Sequence, residues 1–287
     1  VTHAAFEAAR ADGVIDAFLS LPAPRAEKAG QYDFIRRQTM DAESRTMEMP
    51  AQYMFKDVPT YEELPDPVDE VLGLMEKHNI VRMLGGGPGT DAHPDRFVPL
   101  VGVDPNTGME AVRELERGVR ERGAKAAHTW GTGLVPQVPV DDKKMYPLYA
   151  KCVELDVPMI VYVGVPGPRI LMGAQDVARL DEVCWFFPEL KLVTRHGGEP
   201  WTDLMVKLLL KWPNLYYSTS AFAPKHYPAD IVEFATPAAP TRCCTRATTR
   251  RGSTSTASSR SCPTCRCATT SGRGSSARTP RRSSPCE

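Results

Sequence analysis

Between residues 13 and 235 the chain alternates short apolar runs with longer amphipathic stretches, and this alternation constrains the fold more than any other feature. The runs that read as buried strands begin with Gly13-Val-Ile-Asp-Ala-Phe-Leu-Ser-Leu21. Ile80–Leu84, Phe97–Val103, Ala124–Trp130, Val157–Val163, Leu190–Arg195 and Leu215–Thr219 follow. Helices are expected between them at Asp66–His78, Met109–Arg120, Met145–Glu154, Asp176–Phe187 and Trp201–Trp212, with another starting at Pro228. In the first, Val68, Val71, Leu72 and Met75 share one face. In the fifth, Pro200 is expected in the first turn, where its missing N–H costs nothing. Strand–helix alternation implies parallel strands joined by right-handed crossovers. Seven such units in about 235 residues favour a (β/α)8 TIM-type barrel over an open sheet.

Composition narrows the partners. The formal net charge is zero, but ten of the 35 basic residues and only one of the 35 acidic residues lie in Thr241–Glu287. The body at residues 1–240 is therefore acidic, which argues against nucleic acid as a partner. No apolar run approaches the ~20 residues of a membrane span. The first residues lack a basic segment leading into an apolar block, so a secretory signal is not expected there. Only Cys152 and Cys184 of the eight cysteines lie in the body, which fits a reduced, cytoplasmic setting. The expected partner is a small-molecule substrate, and a homo-oligomer is compatible with everything above.

Active-site groups of such barrels sit where strands end and loops begin. In Leu190-Lys-Leu-Val-Thr-Arg-His-Gly-Gly-Glu-Pro-Trp201 an apolar strand delivers His196 to a turn that two glycines permit. His128, Tyr162, Arg169, Arg195 and Glu199 fall at the same kind of position. Arg169 and Arg195, with His128, would suit a substrate carboxylate through forked hydrogen bonding. His196 would exchange protons near neutral pH, with Glu199 or Tyr162 as its partner. Residues 24–65, rich in Met, charge and Pro, read as an excursion over the barrel mouth, with Met40, Met47, Met49 and Met54 lining it or filling gaps. Trp185-Phe186-Phe187 reads as helix core. Gly85-Gly-Gly-Pro-Gly89 lacks the Lys-Ser/Thr pair of a phosphate loop and reads as a flexible connection.

Several motifs in order now carry a resemblance. They are His93-Pro-Asp-Arg-Phe97 leading to Val103-Asp104-Pro105, Gly123-Ala-Lys125, and Tyr146-Pro-Leu-Tyr-Ala-Lys-Cys152. Val157-Pro-Met-Ile160, His196-Gly-Gly198 and Pro213-Asn-Leu-Tyr-Tyr-Ser-Thr-Ser220 complete the set. Over residues 13–235 the chain resembles the amidohydrolase-related family that includes aminocarboxymuconate-semialdehyde decarboxylase. The resemblance implies a metal-dependent hydrolase or decarboxylase, with zinc or a similar divalent ion held by imidazole and carboxylate at the strand ends. Carried over position by position, the ligand set is mostly absent. The family's first strand ends in Asp-x-His-x-His; here Asp16 is followed by Phe18 and Ser20 at the imidazole positions. Tyr162 stands at the fifth-strand His, and only the sixth-strand ligand survives, as His196. No Asp follows Asp230, so the eighth-strand carboxylate is missing too. From this ligand count no metal cofactor is expected, and a non-catalytic relative that only binds such a ligand is the alternative to an enzyme.

The eighth βα unit is missing or scrambled. Thr241–Glu287 holds no Val, Ile, Leu, Met, Phe, Tyr or Trp and cannot bury a core, so disorder is the physical default. Cys262-x-x-Cys265 has no second such pair for a zinc module. A shifted reading register explains the composition better. If each codon of Cys243-Cys-Thr-Arg-Ala-Thr-Thr-Arg250 starts at the preceding third base, Val-Leu-Tyr-Ala-Ser-Asp-Tyr-Pro and Val-Leu-Tyr-Ala-Gly-Tyr-Tyr-Pro are both allowed, and either is a family-type eighth strand, with or without the Asp. We therefore expect a frameshift near Ala235–Arg242. A clean nucleotide read in register through the same tail would end that expectation.

Overall fold

The computed structural model describes residues 13–18, 20–24, 30–55, 66–220, 226–235 and 243–244. Its strands are β1 (Val14–Asp16), β2 (Ile80–Leu84), β3 (Phe97–Val98), β4 (Leu100–Gly102), β5 (Ala126–Thr129), β6 (Met159–Tyr162), β7 (Leu192–Arg195), β8 (Leu215–Ser218) and β9 (Cys243–Cys244). All ladders are parallel, in the orders β1-β2-β3 and β4-β5-β6-β7-β8-β9. The two sheets are one series broken at Pro99, where the third apolar run becomes two short strands. Proline brings no N–H to a ladder, but its carbonyl still accepts from Lys125 N at 2.9 Å. Among the described residues no ladder joins β9 back to β1. At the eighth position stands only the two-residue β9, paired through Tyr217 with Cys243 and Ser218 with Cys244. The rest of the tail, with the proposed change of register at 235–242, lies outside the described residues apart from Ala235 and this strand.

The connecting helices are α1 (Asp33–Arg36), α2 (Ala42–Thr46), α3 (Pro67–Lys77), α4 (Met109–Arg120), α5 (Tyr146–Glu154), α6 (Leu180–Phe186), α7 (Thr202–Lys211) and α8 (Ala229–Ala235). Helix α3 starts where Asp66 accepts from Val68 N and Asp69 N, satisfying first-turn donors that have no intrahelical partner. Helix α4 buries Ala111, Val112, Leu115 and Gly118, a helical spacing that turns one face onto β4. Pro200 does not open α7. It precedes Thr202, after a cis Glu199–Pro200 bond.

The main core lies between the six-stranded sheet and its helices, around Leu115, Leu148, Tyr149, Met159, Leu180 and Leu192. A smaller cluster under α3 holds Val68, Val71, Met75, Ile80, Met83 and Phe97. Cys152 and Cys184 sit in the main core, and burial pushes both thiols up to about 12, so neither is a nucleophile near neutral pH. The expectation that Trp185-Phe186-Phe187 forms core is corrected in part. Phe187 packs on the core, but Trp185 is 67% and Phe186 55% exposed. The apolar run is longer than the stripe that α6 buries. Among the described residues no helix is long and apolar enough to cross a membrane.

Candidate active site

Strand β7 ends at Arg195, and the next residue turns sharply. His196 has φ +67° and Gly197 φ +77°. The left-handed region is uncommon for a residue with a Cβ, and such strain persists where the surroundings enforce it. Here Ser220 enforces it from the end of β8. Its Oγ accepts from the His196 backbone N–H at 3.0 Å and lies 3.0 Å from the ring Nδ1. Gly197 must be glycine, since a Cβ there would stand 2.7 Å from the Tyr217 hydroxyl oxygen. The His196 ring meets Tyr162 edge-on at 4.9 Å and Phe18 at 5.3 Å between centroids.

Arg195 and Tyr162 are paired across β6 and β7, so their side chains leave the sheet on one face. The guanidinium donates to the Tyr162 hydroxyl at 3.2 Å and to the Ala17 carbonyl at 3.4 Å. It lies 4.3 Å from the centre of the Phe18 ring and 5.5 Å from that of Tyr162, within cation–π range of both. Arg195 is only 3% exposed, yet among the described residues it pairs with no carboxylate within 4.0 Å. A buried charge without a partner is costly.

His128, on β5, lies over Gly102 of β4, where a Cβ would come within 3.2 Å of its Nε2. Burial, and then the Arg195 charge, lower its pKa to about 4. The ring is therefore neutral near pH 7. Because the folded value lies below the ordinary 6.5, the unfolded chain takes up this proton first as the pH falls. The resulting destabilisation begins near pH 6.5, grows towards pH 4 and is constant below it. Between pH 7 and pH 4.5 it should reach about 2–3 kcal/mol. Denaturant titrations at the two pH values should show His128→Gln losing less stability than the parent chain by that amount.

The described part of the excursion packs over the loops after β5 and β6. Phe34 meets Trp130 edge-on at 5.9 Å, and Gln38 donates to the Gly133 carbonyl at 3.1 Å. Tyr53 donates to the Gly167 carbonyl at 2.5 Å. Arg169 belongs to this seam. It pairs with Asp41 at 3.1 Å and Glu43 at 2.7 Å, with Tyr53 under its guanidinium at 4.6 Å. Met47 is buried and Met40 is exposed, so one fills a gap and the other does not line the mouth.

The structure thus brings Tyr162, Arg195 and His196 together, with His128 within reach of the Arg195 charge. It takes Arg169 into the seam. Glu199 answers to other charges: burial, then Asp230, raises its carboxyl pKa, while His226 lowers it. Ser20 is exposed. Two residues went unread in the sequence. Ser220 stands against His196, and buried Gln175 accepts from Trp130 Nε1 at 2.8 Å and from Thr132 while donating to the Gly164 carbonyl at 2.9 Å. Gln175 thereby sets the angle of Trp130, which stacks at 5.6 Å on Tyr162. The aromatic row Phe34, Trp130, Tyr162, His196 and Phe18 crosses the mouth.

Parallel strands alternating with helices, with polar groups gathered at the strand ends, define a TIM-type α/β fold. The family model described as Amidohydrolase matches residues 89–244, and the chain belongs to that family. It is 30% identical over 125 residues to a 2-keto-4-carboxy-3-hexenedioate hydratase of Sphingobium sp., a match covering 38% of this chain and 37% of that protein. The chain thus spans little more than a third of that curated relative. Among solved structures, an uncharacterised TIM-barrel protein of Bordetella bronchiseptica has a TM-score of 0.59 at 20% identity, over 82% of this chain and 85% of that one. A 5-carboxyvanillate decarboxylase of Novosphingobium aromaticivorans, complexed with manganese and 4-hydroxy-3-methoxy-5-nitrobenzoic acid, has a TM-score of 0.54 at 16% identity, over 82% and 84%. At these identities the likeness shows the shared fold.

The donor set does not suit a divalent ion of the kind that decarboxylase holds. Phe18 offers no lone pair, and the Tyr162 oxygen accepts from a guanidinium. His196 Nδ1 is against Ser220. Among the described residues no three His, Cys, Asp or Glu side chains converge, whereas structural and catalytic sites need three or four protein ligands.

Proposed function

We propose that the chain is an amidohydrolase-family enzyme, a hydrolase or decarboxylase, acting on a small carboxylated metabolite at the barrel mouth. The observation that carries this is the buried Arg195 guanidinium. Its partners in hand are a phenol and a carbonyl, and a carboxylate is the group whose geometry matches its fork. His128, neutral near pH 7, stands beside the Arg195 charge and offers the ligand an uncharged imidazole. His196 moves the proton. Ser220 Oγ accepts the His196 backbone N–H and lies 3.0 Å from the ring Nδ1, which fixes the orientation of the imidazole. Tyr162 holds Arg195 and faces the same imidazole. The curated relative is named for a carboxylated substrate, which supports the class.

The test is a panel of aliphatic and aromatic carboxylates followed by proton NMR and by release of carbon dioxide. Turnover of at least one acid, and none of its primary amide, is expected. Saturable binding of acids with no turnover would reduce the chain to a ligand-binding relative. No binding of any acid would overturn the reading.

A further inference from the structure

The mouth of this barrel carries a positive charge that needs no cofactor to supply it. Arg195 is buried, and its flat faces are covered by Phe18 and approached by Tyr162. A guanidinium has five N–H donors, all in its plane. Among the described residues two of them are engaged, one by the Tyr162 hydroxyl and one, at 3.4 Å, by the Ala17 carbonyl. Because these donors lie in the guanidinium plane, with Phe18 over the group at 4.3 Å, the remaining ones are met by an acceptor lying in that plane. A planar carboxylate meets two such donors at once.

We infer that Arg195, held by Phe18 and Tyr162, receives the ligand's carboxylate directly and stands in for a divalent cation, so that the mouth binds its anion without a metal. The inference rests on the reading of the mouth as a carboxylate site. Two further observations bear on it. Among the described residues, the groups recorded against the guanidinium are His128, Tyr162, Phe18 and the backbone of Ala17, and none of these brings a negative charge. Burial first, and then the same charge, hold the neighbouring His128 imidazole below its ordinary pKa. A divalent ion brought to this mouth would meet two imidazoles, His196 and His128, too few ligands for a metal site, and a fixed like charge that repels it. Phe18 is thus a positioning residue: its ring fixes the plane in which the fork presents itself.

The test is calorimetric titration of the full chain with benzoate, in buffer passed over a chelating resin, since soluble polycarboxylate chelators would compete for the site. The titration is repeated with manganese added, and manganese is also titrated alone. Benzoate is expected to bind with the same affinity, within about twofold, with or without the ion. Arg195→Gln should weaken it roughly 10- to 150-fold, the loss of charge-assisted hydrogen bonds. Arg195→Lys, which keeps the charge and loses the fork, should fall between. Should Arg195→Gln fail to fold, Phe18→Leu decides, because it spares the charge and releases the plane; it should weaken benzoate in metal-free buffer. Binding that appears only with manganese overturns the inference and leaves the carboxylate reading standing. Metal-free binding unchanged in Arg195→Gln, or in Phe18→Leu where the first variant is unfolded, overturns it as well. No binding of benzoate under either condition overturns both.

Discussion

His196→Asn should lower turnover of a carboxylate substrate by about 10²- to 10⁴-fold, the range for losing a positioned general acid or base. Asparagine is the replacement of choice because His196 stands at φ +67°. Asn tolerates the left-handed region far better than Ala or a branched residue. The turn into Gly197 and the backbone N–H to Ser220 Oγ should survive, so the thermal midpoint should hardly move. A merely structural histidine would give the opposite pattern, with turnover retained and stability lost. The measurement is kcat and KM beside a melting curve. Unchanged kcat removes His196 from the chemistry.

Tyr149→Ala should cost about 4 kcal/mol of stability, within the range for truncating a large buried aromatic side chain. Tyr149 is fully buried in the main core, packs on Tyr146 and Phe187, and donates to the Val140 carbonyl at 2.6 Å. Tyr149→Phe separates the two contributions. It keeps the ring and strands a buried carbonyl, which should cost about 1–2 kcal/mol. Denaturant midpoints at constant slope are the readout. Equal losses in both variants would mean that the hydroxyl, not the packing, holds α5 against the sheet.

The strands are legible in the sequence because each buried run is short, apolar and followed by a turn. Ile80–Leu84 is found at its predicted bounds, and β5, β6, β7 and β8 lie inside the expected runs. The break at Pro99 was there to be read as well, since a proline inside a central strand removes a ladder donor. The site divides differently. Tyr162, Arg195 and His196 are legible because strand ends on neighbouring ladders must converge at one rim. Arg169 was not, because its fate depends on Asp41 and Glu43, more than a hundred residues earlier and on an excursion with no period. Ser220 and Gln175 carry no pattern of their own. Their roles come from where two loops happen to cross, which local spacing does not encode. The long apolar run at Trp185–Phe187 misled for the reverse reason: hydrophobicity alone does not say which side of a helix faces in.

The seam around Arg169 has a consequence for salt. Asp41, Glu43 and Arg169 are all well exposed, and an exposed ion pair contributes about 0–1 kcal/mol. Dissolved salt screens such pairs over about 8–10 Å. The Phe34–Trp130 contact and the Gln38 and Tyr53 hydrogen bonds to the Gly133 and Gly167 carbonyls carry no net charge to screen. High ionic strength should therefore weaken the ion pairs and leave the described part of the excursion packed on the loops after β5 and β6.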